Sequence, residues 1–289
     1  MTSILTNNSA MNALSTLRNI NNSLGNTQDR ISTGLKVASG KDNAAYFAIS
    51  STMKGDSGMT KAIDEGLTLT KNSVSTGRLG AETVADLARQ FVDRVAFAQA
   101  EGVDRAKVQE ELTELVGRMN TTIQQSTFNG ASVIAARDAA AAPITVVTGI
   151  ARDAVGALST TSFTFNTVDL RAITGDATTT SGSSFADINV ETAADATALA
   201  ALLVEAETNL AAVIDGATSL GIAEKSIETQ QSFLGELSKR LDSGIGSMID
   251  ADMESEAARL QALQVQQQLA THALSIANQG PQNILSLFR

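Results

Sequence analysis

His272 is the single histidine in a chain of 289 residues, and there is no cysteine. One imidazole cannot supply the two ligands of an HExxH zinc site. No thiolate is on hand for nucleophilic attack or metal binding. A Ser-His-Asp triad would have to draw on His272, which lies in a Gln/Ala-rich stretch, and no G-x-S-x-G occurs in the chain. Gly34 to Lys41 is faintly like a phosphate-binding loop. Its glycines are one residue too far apart, and Asp42 stands where Mg²⁺ needs a Ser or Thr hydroxyl. Gly244-Ile245-Gly246 lacks the third glycine of a dinucleotide fingerprint and follows no strand. Asp250 and Asp252 read as residues that open a helix, where the dipole favours carboxylates, rather than as an acid/base pair. The methionines fall on apolar stripes, as core residues do. The reading is of a chain without enzymatic activity, metal or cofactor.

The elements around these residues are helical. Leu17, Leu24 and Ile31 are seven apart, with Ile4 and Met11 on a neighbouring stripe. That spacing predicts a helix from about 4 to 33, ended near Gly34. A second helix follows an N-cap at Asp42 or Asn43 and carries Ile49, Met53, Ile63, Leu67 and Val74 to about Gly77. A third spans about 82–101 on Val84, Leu87, Phe91 and Val95. A fourth spans about 104–126 on Val108, Leu112, Leu115, Met119 and Ile123. Thr127 to Ile134 reads as an Asn129-Gly130 turn into a short strand. Residues 137–190 turn Ala-, Thr-, Ser- and Gly-rich, with β-branched runs at 144–148, 163–168 and 185–190 and an exposed loop over 174–184. Helix returns at about Ala193. Leu220, Ile227, Leu234, Leu241 and Met248 keep strict seven-residue spacing. Met253, Leu260 and Leu274 then take a new register, with Leu263, Ala270, Ala277 and Ile284 at the companion position. Gly244 and Gly246 sit at the change, which suggests one helical path crossing from one layer to another.

Apolar residues make up 43% of the chain but aromatics only 3%, so Ala, Leu, Ile and Val fill thin bundles rather than a thick core. A net charge of −10 argues against nucleic acid, whose phosphates need clustered cations. No basic segment followed by an apolar core opens the chain, and no unbroken apolar run approaches a bilayer span. The expectation is a soluble chain with no membrane partner that would leave the cell without a cleaved signal. Residues 1–41 hold Arg18, Arg30, Lys36 and Lys41 against Asp29. Residues 246–289 hold Asp250, Asp252, Glu254 and Glu256 against Arg259 and Arg289. The two ends attract mildly.

Several segments resemble bacterial flagellin: "STGLKVASGKDNAAYFAIS" (32–50), "TFNGASVI" (127–134), "IDADMESEAARLQALQVQQQL" (249–269) and "ANQGPQNILSLFR" (277–289). The resemblance covers about 1–135 and 193–289. It implies a mainly α, folded-back chain of long coiled-coil-like helices in two layers, with a short β-rich or mixed variable insertion. The implied organisation is an inner layer from 1–44 with 246–289, a helical rod layer from 45–135 with 193–245, and a solvent-facing insertion at 136–192. In that scheme Ile4, Met11, Leu17, Leu24, Ile31, Met253, Leu260, Leu263, Leu274 and Ile284 form the inner assembly seam. Ile49, Met53, Ile63, Leu67, Val74, Val84, Leu87, Phe91, Val95, Leu112, Leu115, Met119, Ile227, Leu234 and Leu241 form the rod core.

The resemblance also implies a secreted structural polymer of the extracellular flagellar filament, whose termini order on assembly. Its partners would be further copies of itself, an export chaperone on the C-terminal helix, the flagellar type III export apparatus, and the filament cap and hook–filament junction proteins. A hook–filament junction protein with flagellin-like ends is the alternative. A flagellin carrying an inserted protease is disfavoured, because 136–192 is short and holds no histidine. One departure stands out. Flagellins that animal innate receptors detect strongly carry an Arg-x-Arg-Glu cluster in the helix matching 87–102. Here Phe91 and Asp93 stand at its two arginines and Arg94 at its acid.

Overall fold

A computed structural model describes residues 7–135, 143–152, 157–175 and 184–287. The elements are α1 (Asn8–Thr33), α2 (Ala44–Phe97), α3 (Arg105–Gln125), β1 (Pro143–Arg152), β2 (Leu158–Asn166), α4 (Leu170–Thr174), α5 (Ala196–Ile249) and α6 (Met253–Leu287). A single turn of 3₁₀ helix covers Phe185–Asp187. The chain is mainly α, with long helices and one two-stranded antiparallel sheet.

The helices start where short polar side chains can satisfy free backbone N–H groups. Asn7 Oδ1 accepts from Ala10 N at the head of α1. Asn43, not Asp42, caps α2, accepting from Ala45 N and Tyr46 N at 3.1 Å each. Asp42 instead closes the preceding loop, accepting from Ala38 N, Ser39 N and Ser39 Oγ. The Ser39 hydroxyl in particular holds the Asp42 carboxyl below the usual carboxylate range. Asp104, Asp195 and Asp252 cap α3, α5 and α6. Gly34 ends α1 in the left-handed region at φ 71°, its N–H donating to Arg30 O.

The chain divides into two compact units: Met1–Ser57 with Lys239–Arg289, and Gly58–Ser238. Helices α2 and α5 contribute to both. The larger unit holds the main core, where Leu67, Val74, Val84, Phe91, Val95, Leu112, Met119, Ile227 and Leu234 are buried. Leu115 is buried there too, and Ile63 and Leu87 line the core at its margin. The smaller unit has its own small core of Val37, Ile245 and Ile249, flanked by Leu35, Met53 and Met248.

Several expectations from the sequence need correction. Gly77 does not end a helix; α2 runs on through it to Phe97. The reason is packing, because the 126–134 segment lies directly on this glycine stretch. A Cβ on Gly77 would sit 2.1 Å from Val133 Cγ2, and one on Gly80 2.1 Å from Ser126 Oγ. Gly244 and Gly246 do not mark the change of register either. Helix α5 continues to Ile249, and Asp250–Asp252 break the path before α6. The 127–134 segment makes a tight turn, Asn129 and Gly130 both left-handed at φ 51° and 78°, but only one bridge, Phe128 to Ala131. Residues 185–190 form the 3₁₀ turn and an extended tail, not a strand.

The insertion is not simply solvent-facing. Val146, Phe165, Leu170, Phe185, Ile188 and Val190 belong to the main core. Hairpin β1–β2 pairs from Pro143↔Asn166 to Arg152↔Leu158, with a bulge between Val147 and Gly149. Gln230 Nε2 donates to Thr148 O at that bulge, at 2.7 Å. The 174–184 loop is described only at its ends, and 176–183 lie outside the described residues. By length and composition one described helix, α5, is apolar enough to cross a membrane, with an 18-residue stretch of mean hydropathy 1.5. The same helix buries Leu199, Ala206, Val213 and Leu220 in the main core.

Candidate assembly surface

Helices α1 and α6 pair through mostly apolar positions spaced alternately three and four apart. On α1 the inward positions are Ala10, Ala13, Leu17, Ile20, Leu24, Thr27 and Ile31. On α6 they are Glu256, Leu260, Leu263, Gln267, Ala270, Leu274 and Ala277. This is the seam of an antiparallel coiled coil. Three hydrogen bonds fix its direction and register. Asn7 Nδ2 donates to Ala277 O at 2.8 Å, Gln267 Nε2 to Asn21 Oδ1 at 2.7 Å, and Arg30 Nη1 to Glu256 Oε1 at 3.0 Å. The register of these bonds sets Leu17 opposite Ala270, Ala13 opposite Leu274 and Leu24 opposite Leu263.

The junction at the closed end is bonded through backbone. Lys36 N donates to Ile249 O at 2.6 Å and Ala251 N to Gly34 O at 2.9 Å. The Ser57 hydroxyl donates to Asp242 Oδ1 at 2.8 Å.

Not every seam residue named from the sequence points inward. Leu17, Leu24, Ile31, Leu260 and Leu274 are half-buried and Leu263 is buried. Met11 is 63% exposed and Met253 45% exposed, one stripe away from the pairing face. Ile4 and the Ile284 side chain lie outside the described residues. Ile49, read as rod core, is 50% exposed beside exposed Tyr46 and Phe47. Leu241 is half-buried. The sequence reading missed Thr27, Glu256 and Gln267. They occupy seam positions but are polar, so an apolar stripe cannot reveal them. Their three-four spacing with Leu24, Leu260 and Leu263 is the signal that could have.

The outward faces are also apolar. Val265, Leu269 and Ile276 lie four and seven apart on α6, and Met11 and Leu14 lie on α1; all five are exposed. On the larger unit Leu69, Leu79, Val204, Ile222 and Phe233 are exposed. Scattered single apolar residues are ordinary on a surface, but helical stripes of them mark contact surfaces.

Several charges on the larger unit are mutually paired. Arg78 Nε bonds Glu224 Oε2 at 2.6 Å, and Lys71 Nζ meets Glu228 Oε1 at 2.9 Å. Glu224, with Glu82, raises the Arg78 guanidinium further above its usual range; Lys71, with Lys225, holds Glu228 below the usual carboxylate range. An open concavity of about 870 Å³ lies along these pairs. It presents self-neutralised charges and no nucleophile–base arrangement. Among the described residues no three His, Asp or Glu side chains converge as a metal site.

Phe91 is not a surface residue; it is buried, against Phe185. Asp93 and Arg94 are exposed, and Arg94 Nε meets Glu111 Oε2 at 3.1 Å.

Long paired helices with outward apolar stripes define the class of a helical chain with faces suited to assembly. The profile of the bacterial flagellin N-terminal helical region matches residues 4–139, and that of the C-terminal helical region matches 203–288. Flagellin from Brucella melitensis is 37% identical over 298 residues, and Flagellin A from Rhizobium meliloti strain 1021 is 33% identical over 395 residues. Each alignment covers all of both chains. A Bacillus cereus flagellin crystal structure is similar at a TM-score of 0.37 and 15% identity, over 68% of this chain and 94% of that one. This chain belongs to the bacterial flagellin family. It is a structural subunit of the flagellar filament and not an enzyme.

Proposed function

We propose that the terminal helices α1 and α6 order as the subunit joins a filament, and that their outward stripes then become contacts between copies. One observation carries this reading: the α1–α6 pair leaves Val265, Leu269 and Ile276 exposed after its own seam is formed. Burying them at about 25 cal/mol per Å² adds to the burial in the seam and the helix hydrogen bonds, which together oppose the entropy of ordering the two helices. The inner layer of the filament is then the α1–α6 pair with its seam, and the main core belongs to the rod layer. The same exposed face of α6 suits an export chaperone before assembly. Passage through the flagellar type III export apparatus without a cleaved signal, and contacts with cap and hook–filament junction proteins, complete the reading.

Electron microscopy of purified protein after seeding tests it. Long filaments are expected; short caps would mean a hook–filament junction protein. Leu263→Asp, which puts an unpaired carboxylate into the seam, is expected to abolish polymerisation. Filaments of normal stability from that variant would contradict the seam.

A further inference from the structure

Glu256 is an acid in a seam that otherwise asks for apolar side chains. It is 9% exposed, and its Oε2 is buried with no hydrogen-bond partner. Its Oε1 accepts from Arg30 Nη1 at 3.0 Å. An apolar residue at this position would bind the partner helix more strongly, since an ion pair loses hydration on burial. A buried polar residue at a seam position instead specifies register.

We propose that the Arg30–Glu256 pair is the register key of the α1–α6 coiled coil. This deepens the filament reading and rests on it only for the importance of the seam. The seam is self-similar, because Ala and Leu recur at seven-residue spacing on both helices. A slip of one heptad therefore keeps apolar side chains facing each other. In one direction that slip sets Glu256 against Leu24 and Ser23, with no α1 cation in reach. In the other it carries Glu256 beyond Gly34, the end of α1.

Helix α1 holds only two cations, Arg18 and Arg30. They are twelve residues apart, and twelve is not a multiple of the heptad. A slip that paired Glu256 with Arg18 would turn the apolar stripes away from each other. Among these registers only the observed one aligns the stripes and also gives the buried carboxylate a cation from α1. The backbone bonds of the junction, Lys36 N to Ile249 O and Ala251 N to Gly34 O, agree with this register. They read no side chain; of the side-chain bonds that do, Gln267–Asn21 is exposed, and the ion pair is the one that carries a buried charge.

The test is a charge swap in the full-length chain, carrying Leu24→Cys and Leu263→Cys as a reporter in an otherwise cysteine-free protein. These two positions face each other only in the observed register, and a disulfide requires close Cα atoms. Protein incubated with seeds and mild oxidant is assayed for internal disulfide, and the same variants without cysteines are sedimented for filament. Arg30→Glu and Glu256→Arg, singly, are expected to cut the disulfide yield and the sedimented fraction at least tenfold. Arg30→Glu/Glu256→Arg is expected to restore both to within threefold of the parent. A double variant no better than the worse single, or singles that behave as the parent, would overturn the proposal. The disulfide reads helix pairing whether or not a filament forms. Failure of the parent to sediment would therefore count against the filament reading and leave the register result standing on its own.

Discussion

The ring of Phe185 stands edge-on to that of Phe91, with centroids 4.9 Å apart and planes inclined at 68°. Phe91 belongs to α2 and Phe185 to the 3₁₀ turn that leads from the insertion to α5. Both are buried. The segment with the least helical sequence is thus anchored in the middle of the most helical part of the larger unit.

Phe91→Ala is expected to destabilise the larger unit by about 3–5 kcal/mol, because it opens a cavity that the helices cannot close. The edge-to-face contact adds about 0.5–1.5 kcal/mol. Phe97→Ala, at an exposed position on the same helix, should cost under about 0.5 kcal/mol. Denaturant unfolding of the two variants measures the contrast.

Gly77→Ala separates packing from propensity. On propensity alone, replacing a glycine within a helix gains about 1 kcal/mol. The new methyl would overlap the side chain of Val133, so a loss of about 1–3 kcal/mol is expected instead. A raised melting temperature would show that the 126–134 segment does not rest on α2.

Gln109 clamps the tail of the insertion with both ends of its amide. Its Oε1 accepts from Val190 N at 2.9 Å, and its Nε2 donates to Ile188 O at 3.4 Å. Gln109→Ala leaves the N–H of buried Val190 without an acceptor, at about 1–3 kcal/mol. Limited proteolysis should then cut faster between 184 and 195 while 105–125 stays protected.

Acid should loosen the same segment. The Ser184 hydroxyl and backbone N–H both donate to the Asp187 carboxylate and hold it below the usual carboxylate range. The unfolded chain therefore takes up the proton at higher pH than the folded one. The bonds' contribution is complete above the ordinary carboxylate pKa of about 4 and is lost as pH falls below it. Protection of the Ser184 and Asp187 amides, taken relative to the intrinsic exchange rate at each pH, should fall in that range, and Asp187→Asn should remove this change in protection.

The resemblance to flagellins that innate receptors detect leads to a prediction for the stretch around Phe91. With Phe91 turned inward, the exposed groups at this stretch are Asp93 and an Arg94 engaged with Glu111. A receptor arranged for two arginines followed by an acid would meet the opposite charges, which costs affinity and specificity. Weak or absent stimulation of the flagellin-sensing Toll-like receptor is expected. A reporter-cell response to the monomer equal to that of a strongly detected enteric flagellin would contradict this.

The helices were legible in the sequence because periodicity is local. Leu220, Ile227 and Leu234 recur every seventh residue, and any helix holding them presents one apolar stripe. The caps at Asn43 and Asp104 are equally local, since a side chain two or three residues from a free N–H is all they need. What lies against a stripe is not local. Gly77 reads as a break until Val133 occupies the space its missing side chain leaves. Ile49 continues an apolar pattern yet faces outward, because the pattern names an apolar face without naming its cover. Glu256 reads as one of four acids opening a helix, and only the pairing of α6 with α1 turns it inward to Arg30. Sequence fixes which residues share a face through bond geometry and backbone periodicity. Tertiary structure alone decides which faces meet, because contacts between residues more than two hundred positions apart depend on the path of the whole chain.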